Sequence, residues 1–270
     1  MGNETIASLS LPTIFGILVA LAAVRLSLRG KRALFFRLLT ELSAVGMKVL
    51  ALIFLLVRPF VVQTYTVSSR SMEPGLQRGE SIVVSKWVYR WHAPAYGELV
   101  VFQSPEPGKG ELIKRVIGLP GDTLEGTAGA VLLQTRGSKP RRIDHATLRN
   151  LLRVDDDASV ALTTEAVWCD GKRLTPEALA KRIGKPEAFV AIEPGQLLRN
   201  GQPLTESYVA EDIAAPFGPV TVPTGHLFVL GDNRNRSHDA RFWGPLPESR
   251  VIGRAECIFW PLNHAKRISN

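Results

Sequence analysis

This sequence predicts a mainly β fold, an all-β domain over residues 63–270 that is membrane-anchored by two preceding transmembrane helices within residues 1–62. Three observations predict it. Two apolar stretches lie near the amino terminus, basic residues cluster between them, and after Pro59 the chain turns to short β-branched runs parted by turn residues.

The first apolar stretch, Thr5 to Val24, is 20 residues without a charge. At about 1.5 Å per residue, a helix of that length crosses a hydrocarbon core of about 30 Å. The second, Leu42 to Val62, is broken by Lys48 and Arg58. It spans only if their long stems carry the charges to opposite interfaces. A buried helix, or one lying on a membrane surface, would have the same composition. Arg25, Arg29, Lys31, Arg32 and Arg37 fall between the two stretches, in a loop over 25–41. Basic loops stay cytoplasmic, so a multi-pass anchor would place everything after Val62 on the extracytoplasmic side. No Lys or Arg precedes the first apolar run, which argues against a cleaved targeting segment.

The β-branched runs are Val61–Val67, Ser81–Tyr89, Glu98–Phe102, Leu112–Ile117, Ala130–Gln134, Ala166–Cys169, His226–Leu230 and Val251–Trp260. Pro74-Gly75, Pro120-Gly121-Asp122, Asp170-Gly171 and Asn200-Gly201 punctuate them, the last closing a hairpin of Leu197–Arg199 on Pro203–Thr205. One helix is expected, with Thr175 as N-cap, Pro176 first and an end near Ile183. Residues 123–220 read as an insertion in the β-domain.

Composition excludes several classes. With 45% hydrophobic and 21% charged residues the chain is neither disordered nor fibrous. Cys169 and Cys257 allow one disulfide at most and exclude a cysteine-rich module; whether they pair is open. The net charge of +8 suggests nucleic acid, but residues 1–64 hold seven basic and two acidic side chains, leaving the folded part near balance. No nucleic-acid partner is expected. No H-E-x-x-H pair, G-x-S-x-G elbow, phosphate loop or dinucleotide fingerprint occurs, so neither a metal nor an organic cofactor is expected.

Three dense segments remain: Ser68-Ser69-Arg70-Ser71-Met72-Glu73-Pro74, then Lys114-Arg115-Val116-Ile117-Gly118-Leu119-Pro120-Gly121-Asp122, then Gly231-Asp232-Asn233-Arg234-Asn235-Arg236-Ser237-His238-Asp239-Ala240-Arg241. Together with Gly97-Glu98-Leu99-Val100-Val101-Phe102 and Gly253-Arg254-Ala255, they resemble in order and spacing the boxes of the bacterial type I signal peptidases. Those are membrane-anchored serine proteases with a Ser/Lys dyad, which remove signal peptides from exported preproteins by cutting after small residues in an A-x-A pattern.

The resemblance implies Ser71 as nucleophile and Lys114 as general base. It implies Ser69 as an oxyanion donor beside the Ser71 N–H, and Ser237 as the residue orienting the lysine. Arg115, Asp232, Asp239 and Arg241 would brace the site. Tyr65, Val67, Leu76, Val101 and Ile113 match positions that line shallow pockets for small substrate side chains. It also implies the bacterial inner membrane as location, with preproteins, the lipid bilayer and proximity to the secretion translocon as partners.

Elementary chemistry agrees with the dyad. A serine hydroxyl needs an adjacent base. A lysine serves only when neutral, so its reference pKa of about 10.4 must fall to roughly 7–8. At period two Lys114 shares a strand face with Leu112 and Val116, and apolar surroundings disfavour the ammonium. Taken alone, Ser-Arg-Ser before Glu-Pro-Gly is an ordinary turn and Lys114 an ordinary edge-strand lysine. Ser68, Arg70, Gly75, Glu98 and Asn235-Arg236 depart from the residues usual in the family. A tethered inactive relative, a Ser/Lys self-cleaving regulator and a peptidase dedicated to one secretion system are the competing readings. The first would be expected to lack Ser71 or Lys114, and the second to carry a DNA-binding head in place of residues 1–64.

Overall fold

Strands form where β-branched and aromatic residues alternate between turn residues, and their order along the chain sets the sheet. A computed structural model describes residues 7–8, 23, 34–52, 62–155 and 158–268. The first elements are β1 (Ala7–Ser8), α1 (Leu34–Leu52), β2 (Val62–Thr66), β3 (Ser81–Ser85), β4 (Leu99–Gln103) and β5 (Glu111–Gly118). The insertion follows with β6 (Thr123–Thr127), β7 (Ala130–Gln134), β8 (Arg141–Asp144), α2 (His145–Leu152), β9 (Val160–Leu162), β10 (Val167–Cys169) and β11 (Lys172–Leu174). It continues with α3 (Pro176–Arg182), β12 (Phe189–Glu193), β13 (Gln196–Arg199), β14 (Gln202–Pro203) and β15 (Phe217–Thr221). The chain then returns through β16 (His226–Leu230), α4 (Ala240–Trp243), β17 (Leu246–Pro247), β18 (Val251–Trp260) and β19 (Lys266–Arg267).

One sheet carries the fold, in the order β1-β2-β3-β18-β4-β5-β16-β17, with β19 beside β18. Both faces of its middle are covered. Along β4, Val100 and Phe102 enter one apolar cluster with Leu112, Val116 and Phe228, while Leu99 and Val101 enter another with Tyr65, Met72 and Ile113. Burial on both faces is why β4 and β5 read as unbroken apolar runs rather than as alternation. β5 lies between β4 and β16, so Lys114 is not an edge-strand lysine.

Among the described residues the insertion holds two α-helices, one more than expected. The insertion has its own apolar cluster, including Val131, Leu148, Val167 and Leu179, under the small sheets β11-β10-β9 and β12-β7-β8 and the helices α2 and α3, while the third small sheet, β14-β13-β6-β15, sends Leu124 and Leu197 into the cluster of Val100 and Phe102. The α3 helix starts as its sequence dictates, with Thr175 Oγ1 accepting the Ala178 N–H and Pro176 in the first turn. The α2 helix was not foreseen; it is capped by Asp144, whose carboxylate accepts the Thr147 N–H at 2.8 Å. The Asn200-Gly201 hairpin forms, with φ of 54° and 76° at its two central residues.

Most of the expected first span, 5–24, lies outside the described residues. At its start, however, Ala7 and Ser8 form a strand, paired antiparallel with Thr66 and Tyr65 of β2. Helix α1 begins inside the expected basic loop and runs into the expected second span. Among the described residues no helix is long and apolar enough to cross a membrane. The α1 helix nonetheless exposes Leu38, Leu42, Val45, Val49 and Leu52, a stripe at alternating spacings of four and three. Both cysteines are free thiols.

The turn into the insertion is fixed by Asp122, which accepts the Leu119 N–H, Arg199 Nε and Asn200 Nδ2, each at 2.8 Å. Burial works against its charge, but Arg199 and the two N–H donors outweigh it and hold the carboxyl below the usual range. A depressed native pKa adds stability above the unfolded value of about 3.9, and that stability is lost as pH falls through the native one. Asp122→Asn is expected to destabilise the detergent-solubilised protein by roughly 1–2 kcal/mol at pH 7, with the difference from wild type vanishing in strong acid. Urea midpoints at the two pH values measure it.

Candidate active site

The loop after β2 places the serines. Val67 N–H donates to Glu80 O and Gly79 N–H to Val67 O, closing residues 67–80 at their base. Inside the loop, Leu76 N–H reaches back to Met72 O, and both side chains are fully buried in the cluster under the sheet. Those two anchors, four residues apart, fix the turn that begins at Ser71. The Ser71 carbonyl is held in turn by the Asn233 N–H at 3.1 Å.

Across from it stands β5. Lys114 pairs with Val100, and its period-two neighbours Leu112 and Val116 belong to the same apolar cluster as Val100. The lysine is 1% exposed and Ser71 2%. Lys114 Nζ lies 2.7 Å from Ser71 Oγ, joining residues 43 positions apart. Ser69 Oγ is 3.1 Å from Ser71 Oγ and accepts the Ser71 N–H at 3.4 Å, so a hydroxyl and an N–H lie together beside the Ser71 side chain.

The third segment closes the site. Register Leu230↔Arg115 between β16 and β5 carries Gly231 past the end of β16 towards Lys114. A Cβ on Gly231 would stand 2.3 Å from Ser237 Oγ and 2.5 Å from the Ser71 carbonyl oxygen. Only glycine lets Ser237 and the Ser71 carbonyl approach this closely. Ser237 therefore lies against the Ser71 backbone. Its hydroxyl is buried and makes no hydrogen bond among the described residues, so the expected bond to Lys114 is absent.

The bracing residues form pairs. Arg115 Nε and Nη2 grip Asp232 at 2.8 and 2.7 Å, and its Nη1 donates to Gly97 O. Arg241 Nε and Nη2 hold Asp239, whose Oδ2 also accepts the Gly231 N–H at 3.0 Å. Burial pushes the Asp232 carboxyl up, and the Arg115 fork opposes it.

The expected pocket residues are brought together but not opened. Tyr65, Val67, Leu76, Val101 and Ile113 all belong to one cluster, each no more than 4% exposed. They pack against one another because each sits at the inward position of its strand or turn. Arg70, between the two site serines, is exposed.

Several partners were invisible in the sequence. Glu98 receives Arg254, the Tyr89 hydroxyl and the Ala95 N–H, at 2.7 to 3.0 Å. Buried Arg234 lies 2.7 Å from Glu206, and Tyr208 lies over Arg115. Only the nearby Asn200–Leu204 hairpin gave any signal towards the last two.

A model of the family described as signal peptidase, peptidase S26, matches residues 40–168 and 160–260, which include every residue of this site. The chain belongs to that family. The signal peptidase I of Leptolyngbya laminosa is 29% identical over 214 residues, covering 77% of this chain and 73% of that one. A probable signal peptidase I-2 of Synechocystis is 29% identical over 211 residues, or 76% and 66% of the two chains. The signal peptidase I of Aquifex aeolicus is 28% identical over 230 residues, or 78% and 80%.

Within this peptidase fold the space at Gly231 is a sharp test of the geometry. Gly231→Ala is expected to lower kcat at least a hundredfold, since the added methyl must displace Ser237 or Ser71. Cleavage kinetics beside a thermal melt would measure it, with the melt moving far less than the rate.

Proposed function

We propose that this signal peptidase removes signal peptides from exported preproteins with Ser71 as nucleophile and Lys114 as general base, cutting after small residues. The observation that carries the reading is the 2.7 Å contact between two buried side chains, Lys114 Nζ and Ser71 Oγ. Burial works against an ammonium and so favours the neutral amine a base must be.

In the proposed cycle, Ser71 Oγ attacks the scissile carbonyl carbon while Lys114 takes its proton. The carbonyl oxygen becomes an oxyanion that the Ser71 N–H and Ser69 hydroxyl accommodate. Collapse breaks the C–N bond, and Lys114 returns the proton to the departing amine of the mature protein. The signal peptide stays as an ester on Ser71. Water then attacks that ester, again giving its proton to Lys114, and the second collapse frees the peptide and restores the serine. Ser237 packs against the Ser71 backbone and would limit how far the serine can turn.

Small-residue specificity fits the close packing of Tyr65, Val67, Leu76, Val101 and Ile113, each no more than 4% exposed, against which a bulky side chain would find little purchase. The substrate would add as an extended strand beside the loop after β2.

Attachment to the bacterial inner membrane by residues 1–62, with the β-domain outside the cytoplasm, completes the proposal. The uncovered stripe of Leu38, Leu42, Val45, Val49 and Leu52 on α1 supports it, because such a face is stable in lipid. The bilayer, and proximity to the secretion translocon, would then be the setting in which preproteins arrive.

Detergent-solubilised protein should cut a preprotein after its A-x-A site, and Ser71→Ala and Lys114→Ala should each lower kcat by about a thousandfold or more. Chelators should have no effect. The ratio kcat/KM should fall on the acid side as the free enzyme's lysine takes a proton. A fully active Ser71→Ala variant would disprove the assignment. Separately, the protein should stay in the membrane pellet after alkaline carbonate extraction and leave it in detergent; release by carbonate would rule out a spanning anchor.

A further inference from the structure

Two arginines behind the dyad are as buried as the dyad itself, and one segment of the insertion holds both. Arg115, next to Lys114, has its edges taken by Asp232 and Gly97 O. Its flat face lies over the Tyr208 ring, 3.8 Å from the ring centre. Arg234, three residues before Ser237, is 2% exposed. Its Nε donates to Gly231 O at 3.1 Å, and its Nη2 lies 2.7 Å from Glu206 Oε2, on a carboxylate that is 5% exposed. The Tyr208 hydroxyl donates to Glu206 Oε1 at 2.7 Å, which locks the two insertion residues together.

A second set of bonds ties the same segment to the same loop. Asn235 Nδ2 donates to Glu211 and to the Asp212 carbonyl, both at 2.9 Å, and Asn235 Oδ1 accepts the Ala214 N–H at 3.0 Å. Residues 206–214 thus grip the strand that carries Lys114 through Arg115, and the loop that carries Ser237 through Arg234 and Asn235.

We infer that Glu206 and Tyr208 are positioning residues for peptide cleavage: they fix Arg115 and Arg234, and through them set Lys114 and Ser237 against Ser71. Charge makes the arrangement economical. Arg115, Arg234 and Arg241 are matched by Asp232, Glu206 and Asp239, so removing Glu206 leaves a buried guanidinium without its nearest counter-charge. The ring of Tyr208 seals the remaining open face of Arg115 against water. Neither residue reaches the reacting atoms, so their loss should slow the chemical step and leave substrate binding alone.

The inference rests on the Ser71/Lys114 reading, so wild type and Ser71→Ala are assayed first on an A-x-A preprotein. Activity surviving in Ser71→Ala would sink that reading and the positioning role with it. Given a dead Ser71→Ala, Tyr208→Ala is expected to lower kcat at least tenfold with KM within about twofold. Tyr208→Phe, which keeps the ring, should recover most of that loss. In the double variant with Arg115→Ala, Tyr208→Ala should cost nothing further. Wild-type kcat in Tyr208→Ala, or losses that multiply in the double variant, would overturn the inference. If Tyr208→Ala does not fold, Glu206→Gln decides: a several-fold lower kcat at unchanged KM and melting temperature supports the role, and an unchanged kcat rejects it.

Discussion

The buried pair of Arg115 and Asp232 is the constraint on which the site depends. It joins β5 to the loop after β16 by two parallel hydrogen bonds, at 3% and 0% side-chain exposure. A guanidinium and a carboxylate pair in this way only in one plane and one orientation. The strand and the loop therefore cannot slide past each other without breaking both bonds. Taking two charges out of water is expensive, and such a pair contributes little net stability compared with apolar residues. Losing one partner is another matter, costing about 3–5 kcal/mol because the other charge is stranded. What the pair supplies is register. Lys114 and Gly231 are each the immediate neighbour of one of its members.

Apolar packing supplies the rest of the placement. Met72 and Leu76 sink into the cluster under the sheet and leave Ser71 at the head of a short turn. Lys114 emerges from the opposite apolar cluster, beside Val100. The two clusters lie on the two faces of β4 and β5, so Ser71 and Lys114 meet where the loop from one face reaches the strand bordering the other. A Cβ on Gly231 would meet Ser237 and the Ser71 carbonyl, and one on Gly75 would meet the Asp232 carboxylate. At Gly231 the Ser71 carbonyl is held by the Asn233 N–H and the Ser237 Cβ is no flexible tip, so a methyl could not be absorbed.

Much of this was legible in the sequence, for reasons that can be named. Ala130–Gln134, His226–Leu230 and Val251–Trp260 form strands with the bounds their composition predicts, because apolar runs there end at strong turn residues. Ser71 and Lys114 were singled out by the resemblance of their boxes to those of the family, since alone they read as a turn serine and an edge-strand lysine. The misses have physical causes too. Arg141–Asp144 is a charged edge strand and reads as a loop, and Phe217–Thr221 contains Gly218-Pro219, which reads as a break. Glu206, Tyr208 and Asn235 meet partners 21 to 93 positions away, and no local pattern encodes such a distance. Ser237 shows the opposite error: its box placed it beside the dyad, but the hydrogen bond expected of it depends on a rotamer that sequence does not specify.

The short pairing of Ala7–Ser8 with Tyr65–Thr66 has a consequence for topology that concerns parity. Strand partners must lie in the same aqueous phase, because open β edges are not tolerated in hydrocarbon. The chain between Ser8 and Val62 therefore begins and ends on one side of any bilayer it enters. It can cross such a bilayer twice, or not at all, but never once.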